Sequence, residues 1–216
     1  MKKMTFMAAF LLLAALECAA QNIVAEKEVD LGLSVNWAGW NIDASAPEQN
    51  GGFYAWGEIE EKSDYTIENY KFFNGAITAI TKYNYKEGYG VIDNKTILDP
   101  EDDVAQVKWG DGWRMASSEE LHELLKKCKW TQGRYNEVNG WIATGPNGKS
   151  IFFPYAGNKY NGRYVLEGMS GMTCSGELNA RNPYAAEGFY YLSGRITGFV
   201  GLHRFYGRPV RAVRSK

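Results

Sequence analysis

Aromatic rings and glycines dominate this 216-residue chain, with seven Trp, fourteen Tyr and ten Phe beside 24 Gly. Large rigid rings fill the space between irregular segments, and glycine supplies backbone angles that other residues resist. The mixture therefore points to a loop-rich fold with most rings in its core, since Trp and Tyr are usually largely buried. It is also the mixture from which sugar-binding surfaces are made. With 45% apolar residues and six Pro, the chain is neither collagen-like nor disordered. A formal net charge of −1 supplies no basic surface for nucleic acid.

The N-terminus reads as an export leader. Lys2 and Lys3 precede the apolar run Phe6 to Leu16, and Cys18 and Ala20 fit the −3 and −1 positions of a secretory cleavage site. The run is shorter than the roughly 20 residues a bilayer-spanning helix needs, and no later segment approaches that length. Residues 1–20 are thus expected to be a signal peptide, and residues 21–216 one domain that starts at Gln21 and is secreted, periplasmic or held at the cell surface. Cys18 offers an alternative as a lipidated first residue, which Glu17 disfavours because lipoprotein processing wants a small uncharged neighbour. In the mature chain Cys128 and Cys174 remain, either as a disulfide or as two buried thiols. Joined only by His122 and His203, and with no CxxC or HxxxH spacing, they do not read as a zinc site, and no cofactor is expected.

Val29, Leu31, Leu33 and Val35 alternate with Asp30, Gly32 and Ser34, which predicts a half-buried strand over Val29 to Val35. Phe53 to Trp56 predicts a second, and Thr81-Lys82-Tyr83 a third within a long excursion of loops reaching Asp99. Asp99 with Pro100 and the acids behind it predicts a helix running to about Lys108, with Asp99 as N-cap. The same acids lack the Dx[DN]x[DN]G spacing of a calcium loop. A second helix begins at Ser117 in a capping box with Glu120, and Leu121, Leu124, Leu125 and Cys128 form its apolar face. Gly140 to Thr144 and Ser150 to Pro154 form a hairpin joined by Gly145-Pro146-Asn147-Gly148-Lys149, with Ile151-Phe152-Phe153 expected in the central sheet. Phe189 to Leu192 and Pro209 to Val213 are further strands, the last returning beside the first. Arg204, Arg208, Arg211 and Arg214 along it are expected to be solvated or paired, and Arg114 to pair with Asp102 or Asp103.

Six phrases in order carry a family likeness: Val29-Asp30-Leu31-Gly32-Leu33-Ser34-Val35 with Trp37-Ala38; Phe53-Tyr54-Ala55-Trp56-Gly57-Glu58; Asp102-Asp103-Val104-Ala105; Trp109-Gly110-Asp111-Gly112-Trp113-Arg114-Met115; Gly145-Pro146-Asn147-Gly148; and Tyr206-Gly207-Arg208-Pro209-Val210-Arg211. Together they resemble the Fibrobacter succinogenes major paralogous domain, a family of exported bacterial proteins, over nearly the whole mature chain. The resemblance implies an α+β, C-type lectin-like fold akin to that of formylglycine-generating enzymes: two helices packed on short antiparallel sheets, long irregular loops and paired terminal strands. Two positions depart from it. Ala116 stands where the motif usually has Pro, and Thr173-Cys174-Ser175 lacks the aromatic that relatives place before their serines.

The calcium-dependent sugar motifs of true C-type lectins do not occur, and Cys174 lacks the close partner that the copper-binding cysteine pair of formylglycine-generating enzymes would require. GxSxG, HExxH and P-loop strings are also absent. The function expected is a secreted or surface-exposed, non-catalytic binding module for glycan or for an extracellular or envelope protein. Candidate ligand residues are Asn158, Tyr160, Asn161, Arg163, Tyr164, Arg181, Asn182 and Tyr184, because flat rings beside amide and guanidinium donors suit sugar rings and peptide chains. Packing of the loops would explain the same residues. A structural or assembly component of the cell envelope is the alternative, and an enzyme would need convergent carboxylates that spacing alone does not reveal.

Overall fold

Val29, Leu31, Leu33 and Val35 are all buried, as their alternation predicts, yet they do not form one strand. The Asp30 carboxylate accepts the Gly32 amide at 2.8 Å, and Gly32 takes φ 76°, so a turn divides the run. The result is β1 (Glu28–Val29) and β2 (Val35–Ala38), paired antiparallel. The computed structural model describes residues 23–216; the expected leader, its cleavage point and Cys18 lie outside the described residues.

The chain's last strand, β13 (Ala212–Ser215), pairs with β2 through Val213 and Trp37 and on its other edge with β3 (Trp113–Met115). The two ends are therefore joined in one four-stranded sheet, ordered β1-β2-β13-β3. Ahead of β13 the closing segment makes single links rather than a strand. Ile42 donates to Val210, Tyr54 and Arg208 form an isolated bridge, and Trp56 donates to Arg204. Phe53 to Trp56 is accordingly a bridge and no strand. These links fix Arg204 and Arg208 in the interior. Thr81 to Tyr83 is not a strand either, since Tyr83 turns the chain at φ 63°.

The first helical segment is broken in two. Asp99 stands, as predicted, at the N-cap position of a 3-10 turn, Pro100–Asp102, with no side-chain cap bond, and α1 (Val104–Trp109) follows with Asp103 as its own cap. The Asp103 carboxylate accepts the amides of Ala105, Gln106 and Met115, which ties α1 to β3. Helix α2 (Ser118–Lys127) starts with the predicted capping box and buries Leu121 and Leu124. Arg114 forms a two-pronged pair with Glu120 at 2.6 and 2.8 Å, because Asp102 and Asp103 are occupied by other donors.

After α2 come β4 (Lys129–Tyr135), β5 (Val138–Thr144) and β6 (Ser150–Pro154), a sheet in which β5 is central and β6 lies at the edge. Ile151, Phe152 and Phe153 are nevertheless fully buried. Val24 covers part of that edge by donating to the Ser150 carbonyl, and Arg211 donates to the Phe152 carbonyl. Phe189 to Leu192 is a strand as predicted, and the region around it from Asn158 to Tyr206, expected to be loops, is mostly strand too: β7 (Asn158–Tyr160), β8 (Arg163–Val165), β9 (Ser170–Leu178), β10 (Ala185–Leu192), β11 (Arg195–Ile196) and β12 (Val200–His203). Strand β10 pairs with β9 on one edge and with β11 and β12 on the other, and Thr173-Cys174-Ser175 is buried within β9.

The architecture is α+β, with small antiparallel sheets and two α-helices among the described residues. No helix among those residues is long and apolar enough to cross a membrane. Rings fill two cores, one around Trp56, Tyr65, Tyr70 and Tyr83, the other around Trp37, Leu121, Phe153 and Phe189. Cys128 and Cys174 belong to different cores and are free thiols. Burial pushes the Cys128 thiol up to about 12 and raises Cys174 as well.

Candidate functional site

Alternation along paired strands places Met172 of β9, Tyr190 and Leu192 of β10, and Leu202 of β12 along one cavity of about 400 Å³. Asn158 of β7, Leu166, Tyr206 and Arg208 complete its lining. The packing of β9, β10 and β12 here requires glycine at position 188, where a Cβ would lie 2.4 Å from the Thr173 carbonyl oxygen and 2.9 Å from Leu202. Largely apolar walls with a few polar groups are the usual composition of a ligand site.

The polar groups of this groove are incompletely used. Arg208 is 3% exposed, yet no carboxylate faces it among the described residues. Its Nη1 donates to the His203 carbonyl at 2.6 Å, its Nε donates to the Met172 sulfur at 3.4 Å, and its Nη2 has no partner among the described residues. Burial pulls its pKa down to about 10. Asn158, 2% exposed, donates through Nδ2 to the same sulfur at 3.3 Å, while its Oδ1 is buried without a partner. His203 lies beside them, its imidazole held below the usual value by the surrounding protein and by the Arg208 charge.

The neighbouring arginines are different, and none of the three buried ones is solvated or ion-paired as expected. Arg204 donates to the carbonyls of Lys82, Tyr83 and Pro183 and to the Tyr70 hydroxyl, inside a cage of rings that includes Trp56 at 4.9 Å. Arg211 donates to Asn41 Oδ1 and to the carbonyls of Ala38 and Phe152, and lies 4.5 Å over the Phe153 ring. Among the described residues, Arg214 alone of the four has a carboxylate partner, Glu28 at 3.0 Å.

The eight predicted ligand residues divide among places: Tyr160, Asn161, Arg163 and Tyr164 line one cavity of about 610 Å³ that shares Leu166 with the groove, Arg181 and Asn182 line another, and Asn158 lines the groove. Asn158 enters the groove, and Tyr160 supports it from behind by stacking on Tyr206 at 4.6 Å. Asn161 and Gly162 form the β7–β8 turn at φ 50° and 64°, a conformation that explains the Asn without a ligand. Arg163 and Tyr164 are exposed on β8, with Tyr164 packed edge-on to Phe53. Arg181 and Asn182 lie in a separate turn whose amides both donate to Asn179 Oδ1. Tyr184 stacks between His203 and Tyr89. Met172, Tyr190, Leu202, Tyr206 and Arg208 were missed. Only the ring-rich run His203 to Tyr206, with Arg208 two residues beyond it, hinted at them.

Two other clusters are structural. Asp99, Glu101 and Asp102 converge, with Lys82 Nζ 2.6 Å from both Asp99 and Asp102 and Lys71 Nζ 2.7 Å from Asp102. Hydrogen bonds from Lys82 and Lys95 hold Asp99 at about 2, so these carboxylates are already neutralised by lysines that pin the 71–83 excursion to the helical segment. His122 bonds to the Ser118 carbonyl and stacks on Phe199, as an ordinary helix residue does.

Comparison with family models, with curated proteins and with solved structures finds no match for this chain.

Proposed function

We propose that this chain is an exported, non-catalytic bacterial binding module that takes a portion of a glycan or protein into the groove beside Arg208. The observation that carries the reading is a buried amide oxygen of Asn158 without a partner among the described residues, next to the Arg208 guanidinium, which lies 5.2 Å over the Tyr206 ring and faces no carboxylate among those residues, both in the lining of an open apolar cavity. Native proteins seldom leave such groups unpaired, and a bound ligand is one way to complete them. The leader-like N-terminus supports export, and the six ordered phrases support kinship with the Fibrobacter succinogenes major paralogous domain and a C-type lectin-like fold. Joined ends and two helices are in keeping with that fold.

The test is glycan-array and envelope-extract binding by residues 21–216, with Tyr206→Ala and Arg163→Ala as variants and circular dichroism to verify folding. A ligand retained by the wild type should weaken about tenfold or more in Tyr206→Ala and bind unchanged to Arg163→Ala. Equal binding by Tyr206→Ala would remove the groove from the account. Exposed Val91, Ile92 and Ile97 favour a second reading, an envelope assembly component that associates through that face. Sedimentation that shows concentration-dependent association, abolished by Ile97→Lys, would support it.

A further inference from the structure

We infer that the groove captures the free C-terminal carboxylate of a partner polypeptide whose last residue is apolar. The inference rests on the reading of the groove as a binding site and names what enters it.

A guanidinium carries five N–H donors, and buried charges are normally paired or fully hydrogen-bonded. Arg204 uses four of its donors and Arg211 three, all on oxygen. Arg208 uses one on oxygen and one on sulfur, and it is the arginine that lines the cavity. A carboxylate is the planar anionic acceptor that such a fork fits. A positive charge with no acid partner among the described residues thus seeks its complement from outside.

The rest of the lining selects the bearer of that carboxylate. Leu166, Met172, Tyr190, Leu192, Leu202 and Tyr206 outnumber the polar side chains Asn158 and His203. An acidic sugar would bring several hydroxyls into this space and lose their water without replacement, which disfavours burial. An apolar terminal side chain meets apolar walls instead, and about 400 Å³ suits one or two residues. The unpartnered Oδ1 of Asn158 is an acceptor for which a peptide N–H is the natural donor. At the mouth, Leu166 and Met169 are 46% and 61% exposed and continue the apolar surface along which preceding residues would lie. Capture of a chain terminus by donors above a side-chain pocket is a recurring mode of peptide recognition.

The experiment is fluorescence polarisation of the 21–216 chain with labelled hexapeptides ending in Leu, Ile or Phe. Each is made as the free acid and as the C-terminal amide, beside a tetragalacturonate and a neutral maltotetraose. The inference expects at least one free-acid peptide to bind with a Kd below about 1 mM and its amide to bind about tenfold more weakly or worse. Arg208→Gln should abolish the difference between acid and amide. Leu166→Asp places a negative charge at the mouth without touching the core, at an exposed residue whose φ of 57° suits Asp better than Leu, and should weaken the acid more than the amide. Equal binding of acid and amide would overturn the inference, as would failure of every peptide. Binding of the tetragalacturonate alone, weakened by Tyr206→Ala, would overturn it in favour of an acidic sugar and leave the groove standing. Binding of any probe that Tyr206→Ala leaves intact would sink the groove itself.

Discussion

Arg204 and Arg208 stand one helical-turn's length apart in sequence on the same closing segment, and both are buried, yet their surroundings are opposite. Arg204 sits in a closed cage whose carbonyls come from the 82–83 excursion and from Pro183, so its charge knits distant segments together. Arg208 borders a cavity and shares a thioether with Asn158. Burial alone therefore does not separate a structural arginine from a recognition arginine. The use of its donors does, and that difference can be probed by substitution.

The largest effect should come from Arg204→Met. It strands three buried carbonyls and takes a donor from the Tyr70 hydroxyl, which keeps its bond to the Trp56 carbonyl, and we expect a loss of about 3–5 kcal/mol in urea denaturation. A loss below about 1 kcal/mol would dissolve the contrast. Charges with good partners extend the comparison to acid. Lys82 and Lys95 hold Asp99 at about 2; burial opposes ionisation of Glu123, but hydrogen bonds from Lys127 and Ser34 outweigh it and hold that carboxyl at about 2 as well. Both folded values lie below the unfolded ones, so their contribution is complete above about pH 4.5 and lost as the pH falls towards 2. Thermal midpoints should drop by several degrees over that window, and Asp99→Asn should flatten the slope. A smaller loss, about 1 kcal/mol, is expected for Ser117→Ala, which removes a single cap from an amide that water can reach.

Features set by local chemistry were legible in the sequence. The capping box at Ser117 and Glu120, the turn at Gly145 to Gly148 and the inward alternation of Val29 to Val35 each depend on neighbours within a few residues. Features set by distant partners were not. The helical segment starts a second time at Asp103, whose carboxylate caps α1 and also accepts the Met115 amide, and Arg114 turned to Glu120 once Asp103 was occupied. The Asn and Tyr residues of the late segment drew attention through composition. Asn161 and Asn182 serve turns, whereas Arg208 reaches the groove only because the closing segment bridges to Tyr54. Nothing in a linear pattern distinguishes Arg208 from Arg204.

The smallest stability effect carries the most weight. Urea denaturation of Arg208→Gln beside Arg204→Gln asks whether the fold needs the guanidinium at the groove. Arg208→Gln is expected to stay within about 1 kcal/mol of the wild type, since it loses one carbonyl bond, a weak contact to the Met172 sulfur and the Tyr206 ring contact but relieves a buried charge, while Arg204→Gln falls by about 3 kcal/mol or more. Equal and large losses in both variants would mean that Arg208 is held for the fold, and would contradict its assignment to a ligand.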